Sequence, residues 1–245
     1  MTFSVRPLGL SAIGAGWFSA DQVSALLHFN GTNGSSTFTD ATGLNTWTRT
    51  NFAQIDTAQK MFGTASGYFN NNSQVQRIIA PTASRFDLLG GDFTVAFFAR
   101  PTNNIPSGSR RAVQIGNGDS WGNTSTSTTL TVGFTAGEPY LGLSNASASP
   151  VLHNSGAAQT LNTWDAWCWA VSPTTAKLYR NGAQVYSGAH SGLANPAGVS
   201  FRCAVGNGLG APGDNDDGIR AHIDELVIVK GWAGDISGIT SEIVL

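Results

Sequence analysis

Glycoside hydrolysis needs two carboxyl groups held about 5 to 9.5 Å apart across the scissile bond, and this chain has few acids from which to build such a pair. Its glutamates are Glu138, Glu225 and Glu242 alone. Asp224 and Glu225 are adjacent, and neighbours on a regular strand point to opposite faces, so they are not expected to act together. No Gly-x-Ser-x-Gly elbow and no His-Glu-x-x-His zinc motif occurs. His28, His153, His190 and His222 are scattered without metal-ligand spacing and are assigned no role. Asp214-Asn-Asp-Asp-Gly218 looks like the start of an EF-hand loop, with Glu225 at the twelfth position. Gly218 stands where an oxygen ligand belongs, however, and Ile219 where the loop needs glycine. The stretch reads as a polar turn solvating its own carboxylates, with a loose calcium at the rim as the alternative. Cys168 and Cys203, the only cysteines, lie in strand-like segments with no Cys-x-x-Cys spacing. They read as buried small hydrophobes, and whether they pair is open.

Sugar recognition uses exposed aromatic faces beside hydrogen-bonding loops. Trp121, within Gly116-Asn-Gly-Asp-Ser-Trp-Gly-Asn123, is the leading candidate because little local apolar sequence can cover it. Trp47 and Tyr140 are weaker candidates. A loop plug or subunit contact is the alternative for Trp121. Trp167 and Trp169 share one face of a strand and are expected in the core.

The elements that must position these side chains are strands. Asn181-Gly182 between alternating segments predicts a two-residue type I′ hairpin, placing Arg180 opposite Ala183, Tyr179 opposite Gln184, Leu178 opposite Val185 and Lys177 opposite Tyr186. Thirteen short strand-like runs follow one another from Val23 to Val229 with turn signals between them and no convincing helix. In Phe93–Ala99 and Leu226–Val229 both faces are mostly apolar, as expected of central strands covered on each side. Asn30–Ser36, Gly116–Thr128 and Ser144–Ser149 read as loops. The expectation is an all-β sandwich or barrel with one core over residues 21–245.

Residues 1–20 stand apart as an N-terminal arm. Phe3, Val5, Leu8, Leu10, Ile13, Trp17 and Phe18 give it apolar side chains, while its glycines and Pro7 discourage regular structure. Its apolar stretch is too short, and its start too weakly basic, for a signal peptide, and no window has the length of a membrane span. The arm is therefore expected to be retained, either as an intermolecular tether or folded back on its own sandwich. A formal net charge of -2 without a basic run argues against a nucleic-acid partner. With 41% hydrophobic residues the core needs no cofactor to fold, and an 11% charged composition leaves a surface suited to packing in an assembly.

Five segments in order carry a family resemblance. They are Leu26-Leu-His-Phe-Asn-Gly-Thr-Asn-Gly34 with Phe38-Thr-Asp40, Phe62-Gly-Thr-Ala-Ser-Gly-Tyr-Phe-Asn70, and Gly91-Asp-Phe-Thr-Val-Ala-Phe-Phe-Ala-Arg-Pro101. Asn162-Thr-Trp-Asp-Ala-Trp-Cys-Trp-Ala-Val171 leading into Leu178-Tyr-Arg-Asn-Gly182 is the fourth, and His222-Ile-Asp-Glu-Leu-Val-Ile228 the fifth. Together, over about residues 23 to 234, they resemble the laminin-G-like, concanavalin A-like jelly-roll family, in the variant found in phage virion proteins and in bacterial surface and carbohydrate-active proteins. The resemblance implies a jelly roll of two packed antiparallel sheets. It also implies a structural calcium between opening loop and closing strand, which here would recruit Asn30, Gly43 and Asp224, with Asn30 replacing the usual aspartate. The Glu-x-Asp-x-x-Glu strand of the family's glycosidases is absent.

Fold does not give function. The expected function is a non-enzymatic structural protein of a phage virion, a capsid decoration or tail-fibre component attached through its arm to other virion proteins or to further copies of itself. The alternative is a carbohydrate-binding module of a cell-surface or virion adhesin that touches host surface glycans. An enzyme ranks third.

Overall fold

A computed structural model describes residues 18–70, 74–102, 109–117, 128–145, 148–154, 156–190, 198–210 and 218–245. The Trp121 loop, arm residues 1–17 and the acidic stretch 214–217 lie outside the described residues. The chain is nearly all strand. In order, the strands are β1 Val23–Leu27, β2 Thr48–Thr50, β3 Gln54–Asp56, β4 Ser66–Asn70, β5 Arg77–Ala83, β6 Phe93–Pro101, β7 Ser109–Gly116 and β8 Thr129–Thr135. They continue as β9 Glu138–Asn145, β10 Ala148–Asn154, β11 Asp165–Val171, β12 Thr175–Arg180, β13 Ala183–Ala189, β14 Phe201–Val205 and β15 Arg220–Lys230. One sheet runs β13-β12-β11-β6-β15-β4-β3, with β1 also paired to β15; the other runs β10-β9-β8-β7-β14-β5-β2. This is the expected concanavalin A-like jelly roll.

The core lies between the sheets. On β6, Phe93, Val95, Phe97 and Ala99 face it, as do Trp167 and Trp169 on β11. Phe134 of β8 meets Trp167 at 5.5 Å and Phe97 at 6.4 Å between ring centroids. The alternate residues explain why β6 and β15 are apolar on both faces. Ala96, Cys168, Val227 and Val229, with Val23 and Leu26, form a second buried cluster on the outer face of the larger sheet, beneath Ile236 and Ile243. The segment after β15 is thus a cover, fastened by Gly182 N donating to Ser237 Oγ at 2.8 Å and by Gly231 N donating to the Asp92 carbonyl at 2.7 Å. Phe18, expected among the attachment side chains, packs on its own domain, 5.1 Å from Trp232.

Two expectations change. Asn181 and Gly182 adopt the positive φ of a type I′ turn, 50° and 79°, and pair Arg180 with Ala183 and Tyr179 with Gln184. A register shift then sets Leu178 opposite Tyr186, not Val185, and Lys177 opposite Ser187. The turn fixes only the first two pairs, and a bulge beyond it is invisible to alternation. Two strands, β3 and β10, were not expected. Each lies at a sheet edge, and β3 is three residues with only Ile55 buried, too short to show a period. Cys168 and Cys203 are both buried and free, one on the outer face of β11 and the other in the core on β14 of the opposite sheet, so they do not pair.

Candidate functional site

The expectation that Asp224 and Glu225 point to opposite faces also changes. Register between β15 and β6 shifts between Asp224 and Val227, and Glu225 has a φ of 48°. Ile223 and Leu226 both face the core, so the two residues between them lie together on the outer face rather than on opposite faces. Asp224 Oδ2 accepts Met61 N at 2.8 Å and Phe62 N at 3.1 Å, and Oδ1 accepts Glu225 N at 2.9 Å. Burial, with the nearby Glu225 charge adding to it, raises its carboxyl to about 7 against those three donors. Glu225 is fully buried; Oε1 lies 2.6 Å from His28 Nδ1 and Oε2 accepts Ile243 N at 2.9 Å. The hydrogen bond to Glu225 raises the His28 pKa against the opposing effect of burial. His28, to which the sequence assigned no role, therefore belongs to a polar cluster at the end of β1, closed over by the C-terminal segment. His222 does not join it: stacked 4.7 Å from Tyr68, it is driven down to about 4 by burial.

The residues that the resemblance nominates for calcium do not form a free oxygen set. Asp224 is occupied by three backbone donors. Asn30 Oδ1 accepts Thr64 N at 2.5 Å and Thr64 Oγ1 at 3.0 Å, and its amide donates to Glu242 at 2.5 Å. Gly43 belongs to a turn organised by Asp40, to whose carbonyl its N–H donates at 3.0 Å. Calcium takes six to eight oxygens, and here the side-chain oxygens of Asp224 and Asn30 already accept from protein donors.

The nominated sugar platforms are also corrected where they are described. Trp47 is buried, its Nε1 donating to Asp40 Oδ2 at 3.1 Å, and Tyr140 is 1% exposed. Neither ring face is open to a ligand, because both lie under the packing of the sandwich. The exposed aromatic among the described residues is Phe52, 63% exposed in the turn between β2 and β3. Its one sequence signal was a large apolar residue directly after a turn asparagine.

A cleft of about 270 Å³ opens where β1 begins and β15 ends. Asp21, Ser24, Leu44, Ser84, Arg85 and Lys230 contribute to its lining. Lys230 Nζ donates to the Ser84 carbonyl at 2.7 Å, and Ser24 Oγ to the Arg85 carbonyl at 2.7 Å. Arg85 Nη1 donates to the Leu44 carbonyl at 2.8 Å and to Asn45 Oδ1 at 2.7 Å, which holds the Leu44 turn against the strands. Leu44, 51% exposed, sets an apolar side chain beside ammonium, carboxylate and hydroxyl groups. A ligand that is hydroxylated on its edges and apolar on its face matches that mixture.

The fold and these surfaces define a β-sandwich domain of the concanavalin A-like lectin/glucanases superfamily, and the chain belongs to that family, whose model matches residues 69–232. No curated protein sequence matches it. Among solved structures, it is similar to the binding domain of Paraclostridial Mosquitocidal Protein 1, with a TM-score of 0.64 at 16% identity over 90% of this chain and 51% of that one. Domain 4 of an extracellular arabinanase from Geobacillus stearothermophilus, in complex with arabinotriose, gives 0.61 at 16% identity over 89% and 97%. A botulinum neurotoxin type C structure, described by cell entry through two ganglioside molecules, gives 0.60 at 14% over 88% and 49%. The chain spans about half the length of the toxin chains and nearly all of the arabinanase domain. At these identities the likeness is one of fold.

Proposed function

We propose that this protein is a non-catalytic carbohydrate-binding β-sandwich that holds an oligosaccharide in the cleft between Leu44, Arg85 and Lys230. The observation that carries the reading is the cleft itself, with hydrogen-bonding groups of both charges around an exposed Leu44 on a framework of paired strands. Fold likeness to an arabinanase domain solved with arabinotriose and to toxin binding domains supports it. So does the burial of Asp224 and Glu225, whose oxygens are taken up by protein donors beneath the C-terminal cover. The test is a glycan array followed by calorimetry on the hits. Binding that falls about tenfold or more in Lys230→Met and Leu44→Asp supports the proposal, whereas an array without hits, or hits indifferent to both changes, refutes it.

The finer setting is a phage particle, with the domain carried on the virion and host glycans as its ligand. It is supported by the family resemblance and the sparsely charged surface. Deleting residues 1–17, which leaves the Phe18 contact in place, is expected to abolish incorporation into particles while glycan binding persists. Unchanged incorporation refutes the setting without touching the cleft.

A further inference from the structure

We propose that His28, Glu225 and Glu242 form a binding site for a divalent transition-metal ion of the Zn2+ type. One ligand atom from each lies within 4.8 Å of the other two. A tetrahedral ion with bonds of about 2.0 to 2.2 Å needs its ligand atoms roughly 3.3 Å apart, so side-chain adjustments of about an ångström close the set. The three come from distant places: the residue after β1, the bulge of β15 and the C-terminal cover.

The two carboxylate ligands are already oriented by a second partner. Ile243 N holds Glu225 Oε2 at 2.9 Å, and the Asn30 amide holds Glu242 Oε1 at 2.5 Å. Such outer partners fix the aim of metal ligands. The side chain of His28 is 23% exposed while that of Glu225 is fully buried, so an ion reaches the site from the His28 side.

Charge points the same way. Asp224, Glu225 and Glu242 all act on His28, three carboxyl groups gathered around one imidazole. Of these, Glu225 is a fully buried carboxylate, and such a charge is costly until a cation offsets it. An imidazole among the donors selects Zn2+, Co2+ or Ni2+ over calcium and magnesium, which take oxygen ligands. This donor set differs from the calcium set implied by the family resemblance.

His28 and Glu225 share a proton across their 2.6 Å contact when the imidazole is protonated. The incoming ion takes the place of that proton, which passes to solvent, so one ion bound releases up to one proton and affinity rises with pH. Because Glu242 sits on the C-terminal cover, the ion also ties that cover to β1 and β15.

The test uses the full chain, freed of metal and titrated with Zn2+, Co2+ and Ca2+ by calorimetry in two buffers of different ionisation enthalpy, with thermal unfolding in parallel. The expected result is one Zn2+ per chain, a buffer-dependent heat reporting proton release, a raised Tm, and visible bands for Co2+. His28→Gln and Glu242→Gln should each weaken Zn2+ binding about tenfold or more. Glu242 lies at the partly exposed rim, so E242Q keeps the test open should H28Q fold poorly. Absence of Zn2+ binding, binding unchanged in both variants, or equal response to Ca2+ overturns the proposal. None of these outcomes bears on glycan capture in the cleft.

Discussion

Asp40 is the residue whose removal most directly tests how the opening segment is held. It is 6% exposed and surrounded by donors. Oδ1 accepts Leu26 N at 3.3 Å, Thr42 N at 3.0 Å and Thr42 Oγ1 at 2.6 Å; Oδ2 accepts Asn45 Nδ2 at 2.5 Å and Trp47 Nε1 at 3.1 Å. In Asp40→Ala the Thr42 donors, near the surface, find water, and Asn45 keeps its bond to the Ser24 carbonyl at 2.8 Å. Leu26 N and Trp47 Nε1 are left buried without an acceptor. At about 1 to 3 kcal/mol for each of the two orphaned donors, the expected loss is roughly 2 to 6 kcal/mol. Asp40→Asn keeps one oxygen but turns an amide toward two donors, and should cost about half as much. Trp47→Phe removes the indole donor itself, so the double variant with Asp40→Ala should be less destabilised than the sum of the singles by about 1 kcal/mol or more. Urea unfolding followed by far-ultraviolet circular dichroism measures all four proteins. A cost below about 1 kcal/mol for Asp40→Ala, or strict additivity with Trp47→Phe, would refute the reasoning.

Stability should fall as pH rises from about 4 to 8. The folded Asp224, raised to about 7, holds a proton that the unfolded chain has lost above 3.8, a contribution of at most about 4 kcal/mol that is gone once both states are ionised. His28, also raised, acts with the same sign, its contribution being complete below 6.5 and lost as pH rises through its folded value. Asp224→Asn should flatten the pH profile of urea unfolding, and an unchanged slope would count against this assignment. Gly206→Ala should destabilise by roughly 2 to 4 kcal/mol, because φ is +94° and the added Cβ would meet Phe69 Cδ1 at 2.1 Å; a neutral effect on Tm would show that the contact relaxes. Truncation after Gly231 strips Ile236 and Ile243 from the outer cluster. At about 1.5 to 3 kcal/mol per buried side chain, the shortened chain should unfold several kcal/mol more easily and bind a hydrophobic dye, and a protein that stays monomeric with its original Tm would contradict the role given to the cover.

The double-faced apolar pattern of Phe93–Ala99 and Leu226–Val229 correctly marked β6 and β15 as central strands, which the structure pairs with each other. What covers their outer face was not legible, because Trp232, Ile236, Ile239 and Ile243 follow no strand period and carry no turn signature. Trp167 and Trp169 were placed in the core from their spacing alone, and both are there. Trp47 and Tyr140 were misjudged. A single aromatic in a polar neighbourhood gives no sign that Asp40 or an opposing sheet will enclose it.

The candidate sites show the division most clearly. Composition, turn residues and alternation determine that the chain is all β and that Asn181-Gly182 makes a type I′ turn, since these depend on interactions between residues close in sequence. The His28, Glu225 and Glu242 cluster and the Leu44, Arg85 and Lys230 cleft depend on contacts between residues as much as about 200 positions apart. One extra residue in β15 swings Glu225 to the outer face. Strand alternation carries no term for such a bulge, and only the pairing of β15 with β6 and β1, with the C-terminal cover closed over them, decides which side chains meet.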